Sequence, residues 1–239
     1  DVANGRLIRH FGLEHFSSGH FSLISGVSVN WSPDSRFLVA GGPGMMRTFD
    51  LLKSSVGPQF PIPTGSYAVF AADSATIFVL EAKADAKMYV WDFNSNETKH
   101  VWTINTTGPD CSQISATQDG KTIAVQGAFP GEGGIRTFDS RTGELLCRFR
   151  GEKYYFAISA AGHLLASGTT IFDMQTGKQI KQLEFQCEGI DSVVCFSPDS
   201  RLLAMGMGLD KSAIAVWDVE SGTKKYFREY LASSIHGLI

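Results

Sequence analysis

Five short turn-forming tetrads, spaced almost evenly, constrain this chain more than any other feature. They are Ser32-Pro33-Asp34-Ser35, Ala71-Ala72-Asp73-Ser74, Thr117-Gln118-Asp119-Gly120, Ser159-Ala160-Ala161-Gly162 and Ser197-Pro198-Asp199-Ser200. They return about every 40 residues, the period of an array built from one repeated unit. In two of them proline pre-sets the first central dihedral of a type I turn, and Asp, Ser or Gly suits the positions that follow.

The segments around each turn read as strands. Three residues ahead of the turn Asp, or its equivalent, stand Trp31, Phe70, Ala116, Ile158 and Phe196, a column expected in the core. After the turn comes a second apolar run: Phe37–Ala40, Ile77–Leu80, Ile123–Val125, Leu164–Ala166 and Leu202–Ala204. Such runs, rich in Val, Ile, Leu and Phe, are strand-length and too short for helices. A third run closes on an aromatic followed by Asp: Phe49-Asp50, Trp91-Asp92, Phe138-Asp139, Phe172-Asp173 and Trp217-Asp218. From that Asp the pattern Asp-x-x-[Ser/Thr]-[Gly/Asn] starts at Asp92, Asp139, Asp173 and Asp218. The carboxylate can accept backbone N–H groups across the turn, and Gly or Asn tolerates the left-handed position that tightens it. The Asp50 copy lacks this signal, so its hairpin is expected to be less regular. A more polar strand follows each turn, as in Glu144–Phe149 and Lys178–Leu183, and suits an outer position with one wet face.

This cassette resembles the WD40 repeat, most specifically in Ser-Pro-Asp-Ser-Arg at 32–36 and 197–201 and in Trp-Asp at 91–92 and 217–218. The resemblance implies an all-β fold, a β-propeller of four-stranded antiparallel blades around a channel. The Gly-His dipeptide expected before the first strand is missing from most copies, Gly19-His20 being the one candidate. The His-Ser-Asp-Trp hydrogen-bond network of regular WD40 blades is therefore not carried over, and the repeats read as divergent. They are expected near 21–60, 64–104, 109–149, 153–185 and 190–230. Asp1–Phe11 matches Asp139–Phe149 almost position for position, which reads as an outer strand within 1–15, and 233–239 resembles the start of a further repeat. Five full repeats excerpted from a propeller of seven or more blades are the expectation, with closure of five blades on themselves as the alternative.

Composition narrows the chemistry. The chain has 239 residues, a formal charge of −3 and scattered Lys and Arg, so no general field favours a nucleic-acid backbone. No apolar run approaches the ~20 residues of a membrane span. The N-terminal Asp1–Gly5 is polar and opens no signal peptide. Cys111, Cys147, Cys187 and Cys195 form no C-x-x-C pair and read as reduced packing residues. His10, His15 and His20 with Glu14 invite a metal reading, but their spacing matches no standard site. Gly127–Gly134 lacks the Walker Lys-Ser/Thr and is expected to be a flexible connection between two strands, as is Gly41–Gly44. Neither Gly-x-Ser-x-Gly nor His-Glu-x-x-His occurs. The Asn-x-Ser/Thr triplets at Asn30, Asn96 and Asn105 are given no function.

What remains is the surface where chain enters the first strands and where second strands connect to third ones. The candidate binding residues there are Phe21, Arg47, Tyr67, Lys87, Tyr154, Asp191 and Lys211. Aromatic side chains and Arg are enriched at interface hot spots, although each of these residues could equally wedge between blades. The resemblance implies a non-catalytic scaffold binding protein or peptide; the charge, the short apolar runs and the lack of a chemical motif add the expectation of no nucleic acid, no membrane and no cofactor, with the cytoplasm as favoured compartment. The alternatives are a regulatory or substrate-gating domain of a larger enzyme, a protein kinase or serine hydrolase, and a propeller with its own small-molecule or metal site.

Overall fold

The computed structural model describes residues 28–42, 45–61, 66–81, 83–108, 111–130, 132–150, 155–184, 192–207 and 212–230. These form five sheets of four antiparallel strands each, in sequence order within every sheet. Blade 1 holds β1 (Ser28–Trp31), β2 (Phe37–Gly42), β3 (Met45–Asp50) and β4 (Ser55–Pro61). Blade 2 holds β5 (Ser66–Phe70), β6 (Thr76–Glu81), β7 (Ala86–Asp92) and β8 (Glu97–Ile104), and blade 3 holds β9 (Gln113–Ala116), β10 (Thr122–Phe129), β11 (Glu132–Asp139) and β12 (Leu145–Phe149). Blade 4 holds β13 (Phe156–Ile158), β14 (Leu164–Ser167), β15 (Thr170–Asp173) and β16 (Gln179–Gln182), and blade 5 holds β17 (Ser192–Phe196), β18 (Leu202–Met207), β19 (Ser212–Asp218) and β20 (Lys224–Tyr230).

The recurring tetrads are the first turns. In blades 1, 3 and 5 the opening hydroxyl, Ser32, Thr117 or Ser197, donates to the turn Asp at 2.5, 2.6 and 2.5 Å. The same oxygen accepts the N–H of the residue five places on, so one side chain closes both the turn and the hairpin. Blade 2 has Ala71 there, and Asp73 compensates by accepting from the N–H groups of Ala75 and Thr76 and from the Thr76 hydroxyl. The second turns use the Asp after the aromatic: Asp92, Asp139, Asp173 and Asp218 each accept the N–H three residues ahead. Asp50 does the same for Leu52 and Lys53 despite its missing signal, and gains a 2.9 Å ion pair with Arg36. Its hairpin slips register over Arg47–Phe49, as the equivalent hairpins of the other four sheets do beside their own aromatics, so the missing signal does not set it apart.

Every neighbouring pair of blades encloses its own apolar layer. Val39 and Met46 meet Phe70, Ile77, Val79 and Trp91 between blades 1 and 2. Phe78, Leu80 and Met88 meet Ile114, Ile123 and Phe138 between blades 2 and 3. Phe149 meets Phe156 and Phe172 between blades 3 and 4, and Ile171 meets Met205 and Trp217 between blades 4 and 5. A second strand such as β6 is thus buried on both faces, Ile77 and Val79 toward one neighbour and Phe78 and Leu80 toward the other, which is why it reads as a continuous apolar run. The aromatic column Phe49, Trp91, Phe138, Phe172 and Trp217 is buried throughout. The column ahead of the first turn is not: Phe70 is buried, but Trp31 is 60% exposed because it lies on the face of blade 1 turned away from blade 2.

First strands sit closest to one another, β1 to β5, β5 to β9, β9 to β13 and β13 to β17, so they converge while the fourth strands lie outside. Asn30 donates to the Ala68 carbonyl at 2.7 Å, and the Gln113 amide both donates to the Phe156 carbonyl and accepts its N–H at 2.8 Å. Each fourth strand slips register opposite or beside the buried aromatic, a β-bulge repeated in all five sheets. The glycine-dense stretch departs from its reading as a flexible connection: Gly127, Ala128 and Phe129 pair with Gly134, Gly133 and Glu132.

Candidate binding face

Antiparallel order within a blade puts both Asp-bearing turns at one end and the other connections at the opposite end. The turn end is committed to its own architecture. Asp34, Asp119 and Asp199 are held below the ordinary carboxylate range chiefly by the hydroxyls of Ser32, Thr117 and Ser197. Asp50 is held down first by Arg36, Asp92, Asp139 and Asp218 by backbone N–H groups, and Asp173 by the Thr176 hydroxyl. At Asp73 burial works upward, but the N–H groups of Thr76 and Ala75 outweigh it. The neighbouring blade leans on these turns. Gly143 faces Trp102 of blade 2, Gly177 faces Cys147 and the Arg148 carbonyl of blade 3, and Gly222 faces Lys181 of blade 4. Lys181 also donates to the carbonyls of Val219 and Glu220. Beside them an open groove of about 430 Å³ runs between blades 4 and 5, walled by Leu164, Ile171 and Ile180 and rimmed by Lys181, Arg201 and Asp218.

The connection end is different in chemistry. Tyr67 begins the inner strand of blade 2, Cys111 precedes that of blade 3 and Tyr155 precedes that of blade 4. Burial is the main cause that pushes the Tyr67 phenol upward, and the Tyr155 phenol and Cys111 thiol both lie near enough to add to it. Two phenols and a thiol thus stand at the same end of three successive blades, Tyr67 packed in the layer that holds Cys111; Cys111 is buried and reduced, and Tyr155 is exposed. On blade 2, Glu81 ends β6 fully buried, with the Lys83 ammonium 2.8 Å away and the Tyr89 hydroxyl at 3.5 Å. Burial and then Glu81 raise the Tyr89 phenol, and Glu81 raises Lys83. Thr106 ties the turn down, its hydroxyl donating to the Lys83 carbonyl and accepting the Ala86 N–H while its own carbonyl accepts the Asp85 N–H.

Of the residues singled out from sequence, Tyr67 is half-buried at the inner rim, Lys87 is exposed on β7, and Arg47 is buried on β3 rather than on a surface loop. Phe21, Tyr154, Asp191 and Lys211 lie outside the described residues, as do His10, Glu14, His15, His20 and Cys187. Glu81, Lys83, Cys111 and Tyr155 are brought to this end without a motif of their own. Their signal was positional: they occupy the same connections as the residues chosen for their type. Among the described residues no group of three His, Cys, Asp or Glu side chains could hold a metal ion, and no helix is long and apolar enough to cross a membrane.

Trp91 is fully buried against Phe60, ring centroids 5.3 Å apart, and its indole N–H meets no acceptor among the described residues. No curated protein matches the chain. The sequence model of the family described as WD domain, G-beta repeat, matches residues 12–50, a stretch that contains Gly19-His20, Ser32-Pro33-Asp34 and Phe49-Asp50. WD40 repeats are a protein-interaction kind of domain, generally a non-catalytic scaffold. The matched segment is one copy of a unit that the structure repeats in five four-stranded sheets, so the chain carries a WD40 repeat within a propeller-like array of blades.

Proposed function

We propose that this chain is a non-catalytic scaffold that binds a protein or peptide on the connection end of its blades. One observation carries the reading: the turn end spends its carboxylates on its own backbone, whereas the connection end gathers Tyr67, Cys111 and Tyr155 from three successive blades. Phenols on rigid strands are suited to this role, because they supply apolar area and a polar tip at small entropic cost. Lys87 lies exposed at the same end, and Phe21, Tyr154, Asp191 and Lys211 belong to the equivalent connections. Neither nucleic acid nor membrane enters this reading, since a formal charge of −3 with scattered cations offers no basic field.

The test is affinity capture of partners followed by comparison of surface variants. Tyr155→Ala and Lys87→Ala at the connection end are expected to lose the captured partner, and Gln118→Ala and Lys121→Ala at the turn end to retain it. The reverse pattern would move the binding face to the turns.

A further inference from the structure

A carboxylate is buried at the connection end of blade 2 with little to hold its charge. Glu81 stands on the face turned to blade 1, in line with Ile77 and Val79, and has no exposed surface. Among the described residues its Oε1 accepts no well-directed hydrogen bond, its partner being the Lys83 ammonium at 2.8 Å. Oε2 meets the Tyr89 hydroxyl only at 3.5 Å. A buried carboxylate stays ionised only beside a cation. Here that cation belongs to a side chain 40% exposed, on a turn whose backbone Thr106 fixes independently. The ammonium can therefore leave without the turn moving. Tyr89, its ring packed edge-on against Phe60 at 5.3 Å, reaches the carboxylate with its hydroxyl and so puts an aromatic side chain next to the site.

We propose that Glu81 is a recognition subsite for an arginine side chain of the bound partner, and that Lys83 is its built-in occupant, displaced when the partner docks. A guanidinium can bridge both carboxylate oxygens and lie against an aromatic ring, whereas an ammonium is a point charge that serves Oε1 alone. The proposal deepens the reading of the connection end as the binding face and rests on it.

N-acetyl-arginine amide is the probe, titrated calorimetrically into the full chain, with the neutral N-acetyl-citrulline amide as control. Lys83→Met keeps the aliphatic stem and empties the site, so it is expected to bind the probe at least tenfold more tightly than the parent. The citrulline compound should not bind, and adding Glu81→Gln should abolish the gain. Equal affinity in parent and Lys83→Met, or binding that survives Glu81→Gln, overturns the subsite. Should Lys83→Met fail to fold, the parent chain with ¹³C-methylated lysines gives the answer. The Lys83 signal, identified with Lys83→Arg, should move toward the position of an unpaired lysine as the probe is added, and a signal that stays in place overturns the proposal. If the subsite fails while Tyr155→Ala and Lys87→Ala still lose the partner, the wider reading stands without it.

Discussion

The indole nitrogen of Trp91 is a buried donor with no acceptor among the described residues, in a column that carries phenylalanine in three of five blades. An unsatisfied buried donor costs about 1–3 kcal/mol, which offsets much of what the larger ring gains. Trp91→Phe is therefore expected to change stability by no more than about 1.5 kcal/mol. Trp217→Ala, which empties the layer between blades 4 and 5, should cost roughly 3–5 kcal/mol. Urea denaturation of the two variants separates them, and equal losses would show that the N–H matters more than the ring. Gly143 makes the opposite point. Its φ is +74°, and a Cβ there would lie 2.5 Å from Trp102 Cγ. Gly143→Ala should destabilise by roughly 2–4 kcal/mol, combining left-handed strain with a clash against a half-buried ring. Trp102→Ala in the same chain should recover part of that loss, which a double-mutant cycle in thermal denaturation would reveal.

Strands and turns were the elements most legible from sequence, because each is specified within a few residues. Ser-Pro-Asp closes its own hairpin, and Asp-x-x-Thr-Gly closes the next; neither needs help from a distant part of the chain. All ten turns end on a residue in the left-handed region, Ser35, Ser74 and Ser200 among them, where a serine stands in for glycine. What stayed hidden were contacts between elements. Ser200 Oγ accepts the Ala160 N–H at 3.0 Å and so stitches blade 5 to blade 4, and nothing in Ser200 itself announces it. Gln113 is hidden in the same way: a lone glutamine in a short strand is paired at both ends of its amide with the backbone of Phe156. Gln113→Leu should cost about 1–3 kcal/mol, since it leaves two buried backbone groups unpaired. Thermal unfolding reads this directly, and an unchanged midpoint would mean that water replaces the amide. The connection end was legible as a place but not as a set of residues, because residue type drew attention to Arg47, which is buried, and passed over Glu81.

Across the whole molecule, nine turn aspartates share one electrostatic condition. Each has a folded pKa below its ordinary value of 3.8. A depressed carboxylate contributes stability that is present above the unfolded pKa and lost as pH falls through the folded one. Stability is therefore expected to hold from neutrality down to the region of pH 4 and to fall steeply below it. Circular dichroism against pH checks this; a loss beginning above pH 5 would place the weak point elsewhere. Because each apolar layer lies between two adjacent blades, stability is close to a sum of neighbour terms, the behaviour of a repeat array. The bulge in every fourth strand has a further consequence. A strand edge that runs straight is a template on which another chain can zip up, and among the described residues five outer strands turn an edge to their surroundings. With the backbone kinked out of step in each of them, an intruding strand could match only a few residues before its hydrogen bonds fell out of phase. The perimeter can thus remain open without growing into fibres.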